Sequence, residues 1–378
     1  MSARNVSVSS IILVFLKISF TAFGGHAAHL AMMEEEVVRK RKWISHEEFL
    51  DIISAANLIP GPNSTETALH IGYSLASWQG FFAAGLSFIT PTIIIVTGVA
   101  MAYVKYGMLP ATENILFWIK PVIMAVISLA IYRFSKTAVK SKLLLLMLLL
   151  ACLASVFKIT EIAVILVIGV LVMFINISRD KFNSFAPSSF LLDPIIQASS
   201  CTVSCDLPSI FLFFFKISAI IFGSGYVLYA FLYNDLVVNY QWISQAQLID
   251  AIAIGQFTPG PVFTAATFIG YLLAGTPGAL IASVGVFLPA FIYVAITSPF
   301  LSQMRQSKSL SFFLDGVNVA SLALMIVVCF NLANAMLTNP LAISIFVVSL
   351  GISWRFKVNS AWLILVAAVL GFIKSFWV

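Results

Sequence analysis

Charge is scarce along this chain: of 378 residues only 10% are Asp, Glu, Lys or Arg, while 61% are hydrophobic. The mean hydropathy of +1.03 excludes a soluble domain of ordinary composition. Histidine and cysteine are sparse too, at four each. Four cysteines are too few for a disulfide framework. Cys201 and Cys205 share a loop, where a metal or redox role competes with the plainer reading of small residues. No nucleophile–base pairing, metal cluster or phosphate loop stands out, which argues against an enzyme, and no cofactor is expected. The pI near 9.1 invites a nucleic-acid partner. That reading fails because the basic residues fall in short loops between apolar spans, where they act as topology signals.

What the chain has in abundance is apolar runs of about 17–25 residues, the length that crosses a bilayer, so it reads as an all-α polytopic membrane protein. The first run covers Ser9–Met32 and contains Lys17 and Gly24-Gly25, which fits a retained helix better than a cleaved signal. An amphipathic stretch with Glu34–Glu36 and Arg39–Lys42 follows. Two short pieces, Glu47–Ile59 and Asn63–Ser77, then flank Pro60-Gly61-Pro62. Each reaches only about 20 Å at helical rise, short of a crossing of about 30 Å. Full spans are expected over Gln79–Val104, Asn114–Phe134, Leu143–Phe157 and Glu161–Ile177, and Ser178–Ser209 reads as a linker.

After the linker the pattern restarts 199 residues on. Lys17-Ile18-Ser19 returns as Lys216-Ile217-Ser218, Phe23-Gly24 as Phe222-Gly223, Trp43-Ile44-Ser45 as Trp242-Ile243-Ser244, Asp51 as Asp250, and Pro60-Gly61-Pro62 as Pro259-Gly260-Pro261. One residue is then lost, so Ile71-Gly72-Tyr73 matches Ile269-Gly270-Tyr271 and Pro91 matches Pro289. The chain therefore divides into a repeat at 1–177, a cytoplasmic linker at 178–209 and a second repeat at 210–378. The loop before Trp43 carries four basic residues and its counterpart Asn234–Gln241 none, so the halves are expected to be inverted in the membrane. If each Pro-Gly-Pro segment dips in and returns, the chain has ten spanning helices, two re-entrant hairpins and both termini outside. That arrangement leaves only Arg4, Lys105, Lys158 and Lys374 among the external basic residues.

A Pro-Gly-Pro triplet stops one helix and starts another. Irregular backbone at membrane depth survives only against protein or a water-filled cavity, so the two tips mark a midplane site. The plainer alternative is a pair of kinks. The helix leaving the first tip begins Asn63-Ser64-Thr65, and the second begins Val262-Phe263-Thr264. Two helix starts, each carrying about half a positive charge, suit an anion. Lys17 and Lys216, about 12 Å into their spans, either face that anion or snorkel to the interface; if they face it, a dianionic tetrahedral oxyanion fits. Glu66 lies one turn past the first tip without an acidic counterpart and is a candidate proton site. Asp51 and Asp250 are candidates for coupling, with capping or hairpin anchoring the alternative. His26 and His29 have an i, i+3 spacing that suits a metal, but without further ligands they read as a link from the first helix to its loop.

Phe20-Thr21-Ala22-Phe23-Gly24-Gly25, His29, the acidic-then-basic run into Trp43, Pro60-Gly61-Pro62, Ile71-Gly72 and Pro91 together resemble the signature domain of the chromate ion transporter family, in its two-domain, long-chain form. The second half resembles the same domain more weakly, with Ser224 in place of Gly25 and Gly225 in place of His26. The resemblance implies a multi-pass protein of the cytoplasmic (inner) membrane that exports chromate, with sulfate as a related or competing substrate. It also implies Lys17 as the basic position of the first helix, Gly24-Gly25 as its break and Pro60-Gly61-Pro62 as the re-entrant tip. Rocking of one half against the other would expose the site alternately. The expected partners are the oxyanion, the bilayer and a second copy in a homodimer. A channel-like pathway, or transport of sulfate or another anion, is the alternative.

Overall fold

The computed structural model describes residues 6–23, 25–106, 110–157, 159–181, 205–222, 225–298, 308–337, 339–356 and 360–374. All regular structure among them is helical. Most of the expected linker lies outside these residues.

Helix α1 (Val8–Thr21) starts at Ser7, whose hydroxyl accepts the Ser10 N–H and so satisfies one donor that a helix start leaves free. It ends after 14 residues. The chain restarts as α2 (His26–Met33) from Gly25, whose φ of 76° is open to glycine and costly for other residues. The first span over Ser9–Met32 is thus two helical pieces, one ending at Thr21 and the other starting from Gly25. From α2 the chain winds on as a π-helix over Glu34–Lys40 and enters α3 (His46–Ala56), capped by Ser45. Helix α4 (Asn63–Tyr106) breaks at Ala76 and Ser77, and Ser77 adopts a φ of 50°. There the chain folds back so closely that a Cβ on Gly72 would run into the Gly80 carbonyl, and one on Gly80 into that of Gly72. Helices α5 (Pro110–Ala138), α6 (Lys142–Val156) and α7 (Glu161–Lys181) complete the first half.

The second half repeats this order. It contains α8 (Leu207–Ser218), α9 (Val227–Phe231) continuing as a π-helix over Leu232–Asn239, and α10 (Gln245–Phe257) with a Ser244/Gln247 capping box. A 3₁₀ turn (Val262–Thr264) then leads into α11 (Ala265–Thr297), which breaks at Ala274 and Gly275 and brings Gly270 against Gly278. Helices α12 (Lys308–Met336), α13 (Pro340–Phe356) and α14 (Ser360–Lys374) follow.

Among the described residues, five helical segments are long and apolar enough to cross a membrane: Asn63–Tyr106, Asn114–Ala138, Glu161–Ser178, Val262–Thr297 and Ser309–Asn334. Five shorter apolar helices accompany them: Val8–Thr21, Lys142–Val156, Leu207–Ser218, Pro340–Phe356 and Trp362–Lys374. Their packing interleaves the halves. One group joins α1 to α4, α8 to α11, and α4 to α11; the other joins α12 to α5, α6 and α7, and α5 to α13 and α14. Each group draws on both repeats, so neither half is a body that moves without breaking contacts to the other.

Candidate functional site

The two Pro-Gly-Pro tips meet the broken ends of the opposite half's first helix. The Gly61 N–H donates to the Ile221 carbonyl at 2.7 Å, and the Gly260 N–H donates to the Ala22 carbonyl at 3.3 Å. Each bond satisfies a carbonyl that the helix end leaves free, and the pair is related by the same 199-residue shift as the sequence. Glycine is required at both tips by φ values of 132° and 102° and by close approach. A Cβ on Gly61 would run into the Glu66 carboxyl, and one on Gly260 into Thr92.

Between the tips lies a cavity of about 70 Å³, lined by His26, His29, Pro62, Asn63, Ser64, Gly225, Tyr226, Pro261, Val262 and Phe263. One water needs about 10–15 Å³ on the same measure, so the space holds several waters or one small polyatomic ion. Most of its polar wall comes from the first half, with Tyr226 added by the second. Ser64 Oγ lies 2.9 Å from His26 Nδ1 and 3.1 Å from His29 Nδ1. A hydroxyl has one hydrogen, so it donates to one ring while the other ring's N–H donates to it, and the two neutral imidazoles take opposite tautomers. Asn63 turns back to donate to Asn57 Oδ1 at 2.7 Å. The second-half wall is apolar at Val262 and Phe263, and Thr264 is spent locally on the Pro261 carbonyl at 2.7 Å. Behind it, Gln256 joins Tyr229 at 3.2 Å and Tyr226 at 3.5 Å.

Of the expected site residues, the structure brings Pro62, Asn63, Ser64, Pro261 and Phe263 to the cavity, and Gly61 and Gly260 hold its ends. Thr65 is buried beside it, and Gly25 sits against Val262 and Tyr226. Gly24 and Gly223 lie outside the described residues. The lysines go elsewhere. The Lys17 ammonium, 52% exposed, pairs with Glu36 at 2.9 Å, a carboxylate that also meets Lys40 and Arg41. Burial works against ionising Glu36, which lies outside the apolar spans, but Lys17, Arg41 and Lys40 hold its carboxyl down to about 2. Lys216 is exposed and acts electrostatically on Asp235 and Glu161, and Asp235 is the repeat counterpart of Glu36. The paired lysines thus recur with paired acids on the π-helices rather than at the cavity. Asp250 accepts from Tyr103 at 2.8 Å and pairs with Lys120 at 3.1 Å, tying α10 to α4 and α5. Asp51 lies half-buried on α3. No group of three or more metal-ligating side chains occurs among the described residues.

A family model described as "Chromate transporter" matches residues 9–174 and again 208–372. The chain belongs to the chromate transporter family. It is therefore a multi-pass membrane transport protein and not an enzyme, and the family domain occurs twice in it. It is similar to a chromate transport protein of Cupriavidus metallidurans, 28% identical over 98% of this chain and 93% of that one. It is also similar to a probable chromate transport protein of Synechococcus elongatus, 29% identical over 96% and 94%, and to an uncharacterized transporter of Methanocaldococcus jannaschii, 27% identical over 98% and 95%. No solved structure matches it.

Proposed function

We propose that the chain exports chromate, a tetrahedral dianion, through a site between the two tips, with sulfate as a competing or exchanged substrate. The observation that carries this reading is the cavity itself: Ser64, His26 and His29 face it, and their shared hydrogen bonds leave one imidazole N–H free to donate, while helices start beside it at Asn63 and His26. Helix starts present free N–H groups and partial positive charge to an anion. A potential of 100 mV, negative inside, favours export of a dianion by about 4.6 kcal/mol, so net efflux needs no coupling ion.

The two halves are inverted, with each tip carried on a re-entrant hairpin. The reversals at Ala76-Ser77 and Ala274-Gly275 support this, because they send the helix after each tip back toward the face it came from. Lys42 and Gln241, matched positions with φ of 53° and 54°, then lie on opposite faces, and single-cysteine labelling at each reads this directly. Because the packing mixes the repeats, alternating access moves the group containing α1, α4, α8 and α11 against the group containing α5–α7 and α12–α14, rather than one half against the other. Assembly as a homodimer completes the proposal and is read by native mass spectrometry.

The deciding experiment is uptake of radiolabelled chromate and sulfate into everted vesicles. Saturable chromate accumulation, with counterflow of label against unlabelled anion, is the expected result. Flux without saturation or counterflow would replace the transporter with a channel-like pathway, and absence of chromate uptake would overturn the substrate.

A further inference from the structure

Glu66 is fully buried, and neither of its carboxyl oxygens meets a hydrogen-bond partner. It lies behind the first tip rather than in the cavity, with its carboxyl against the bare face of Gly61. Ala290, part of a buried apolar cluster with Ile59, Leu69, Phe81 and Val294, faces the same side of Gly61. One turn along the same helix face stands His70, itself buried, with Nε2 unpartnered and Nδ1 3.1 Å from the Ser298 hydroxyl at the end of α11. From α11, Tyr293 lies within the electrostatic reach of Glu66 and donates to the Ala219 carbonyl at 3.0 Å. No lysine or arginine among the described residues pairs with Glu66. A lone carboxylate buried in this way costs far more than a neutral acid.

We propose that Glu66 is a proton site linked to occupancy of the anion cavity, with His70 and Ser298 as its route to the membrane face where α11 ends. This rests on the transporter reading for its consequence but not for the site itself. With the cavity filled, Glu66 is neutral, because a further negative charge two residues along the chain from Ser64 would repel the anion. When the anion leaves, a side-chain rotation brings Glu66 to His70 Nε2. The carboxyl O–H bond breaks, the imidazole takes the proton at Nε2 and releases the one on Nδ1 through Ser298 to water, leaving a carboxylate. The carboxyl packs on Gly61, whose N–H holds Ile221, so its charge state also bears on the contact that closes the first tip.

The sign follows: anion affinity is full while Glu66 is protonated and falls as pH rises through its titration, about tenfold in KM per pH unit beyond it. In proteoliposomes the wild-type protein should show this rise and a substrate-dependent movement of protons seen by an internal pH dye. Glu66→Gln should show neither, its KM varying less than about twofold once corrected for titration of chromate itself. Matching pH profiles in the two proteins would overturn the proposal. If Glu66→Gln does not fold, Glu66→Asp must still show the rise at a displaced midpoint, and an unchanged midpoint overturns it. Infrared spectra of the purified, anion-loaded protein at neutral pH give a readout independent of transport. A protonated-carboxyl band, shifted in heavy water and absent from Glu66→Gln, is expected, and its absence from the wild type overturns the site. If the band is present while chromate does not move, the substrate reading fails and the proton site stands.

Discussion

The two tips share a scaffold and differ in chemistry. Both use a glycine at positive φ to donate into the broken helix of the other half. The first places the hydroxyl of Ser64, the amide of Asn63 and two imidazoles at the cavity, whereas the second presents Val262, Phe263 and Tyr226, with Gln256 and Tyr229 behind Tyr226. Duplication has preserved the architecture that joins the tips while the polar groups beside them have diverged. An anion held by such a site is gripped from one side and packed against from the other.

The sharpest way to break the shared scaffold is at its glycines, and the tips should not respond equally. A Cβ at Gly260 meets the hydroxyl, Cβ and methyl of Thr92, a buried residue on α4. A Cβ at Gly61 meets the end of the Glu66 side chain and, at 3.8 Å, Ala290. Left-handed strain and overpacking together put Gly260→Ala at about 2–4 kcal/mol, with Gly61→Ala smaller because the Glu66 side chain has rotamers to yield. Thermal unfolding in detergent should rank them in that order, and Thr92→Ala should recover part of the Gly260→Ala loss. Equal losses at the two glycines would mean the backbone angle alone decides.

The difference in chemistry is tested next. Ser64→Ala removes the group that both imidazoles share, and a lost hydrogen bond of about 1–1.5 kcal/mol should raise the KM for chromate about tenfold. Phe263→Leu, at the matching position in the second repeat, keeps an apolar wall and should change KM less than about twofold, since a volume-tolerant swap disturbs packing without removing a donor. The reverse ranking would place recognition in the second half.

How much of this was legible from sequence depended on whether a signal was local or depended on distant partners. The repeat, the tips and the chain reversals were written in short patterns: Pro-Gly-Pro twice, and helix pieces ending near Ser77 before a new one began. The i, i+3 spacing of His26 and His29 put both rings on one face, yet nothing within that segment showed that they converge on Ser64, 35 residues beyond His29. Tyr226, Tyr229 and Gln256 were missed because buried aromatic and amide groups look like ordinary membrane-core residues until their partners are known. The lysines misled for a related reason. Depth along a helix says how costly a charge is, but not which side of the helix it faces, and the acids that receive them lie 19 residues further on in each repeat.

The smallest expected effect comes from those lysines, and it completes the comparison. Lys17 forms an exposed ion pair worth about 0–1 kcal/mol and Lys216 acts on Asp235 and Glu161 only at longer range, so Lys17→Met and Lys216→Met should each leave the KM for chromate within about twofold. Their stability costs should differ, because Glu36 keeps Lys40 and Arg41 when Lys17 is lost, whereas Asp235 keeps only neutral help from Asn239 at 3.1 Å. Lys216→Met is therefore expected to destabilise more. Glu36 adds a pH test: a carboxyl held below its ordinary value stabilises the fold above about pH 4.5 and loses that contribution as pH falls toward about 2. The stability gap between the wild type and Glu36→Gln should accordingly close on acidification. If Lys216→Met instead abolishes saturable uptake, that ammonium reaches the anion in another conformation, and recognition is shared by both repeats after all.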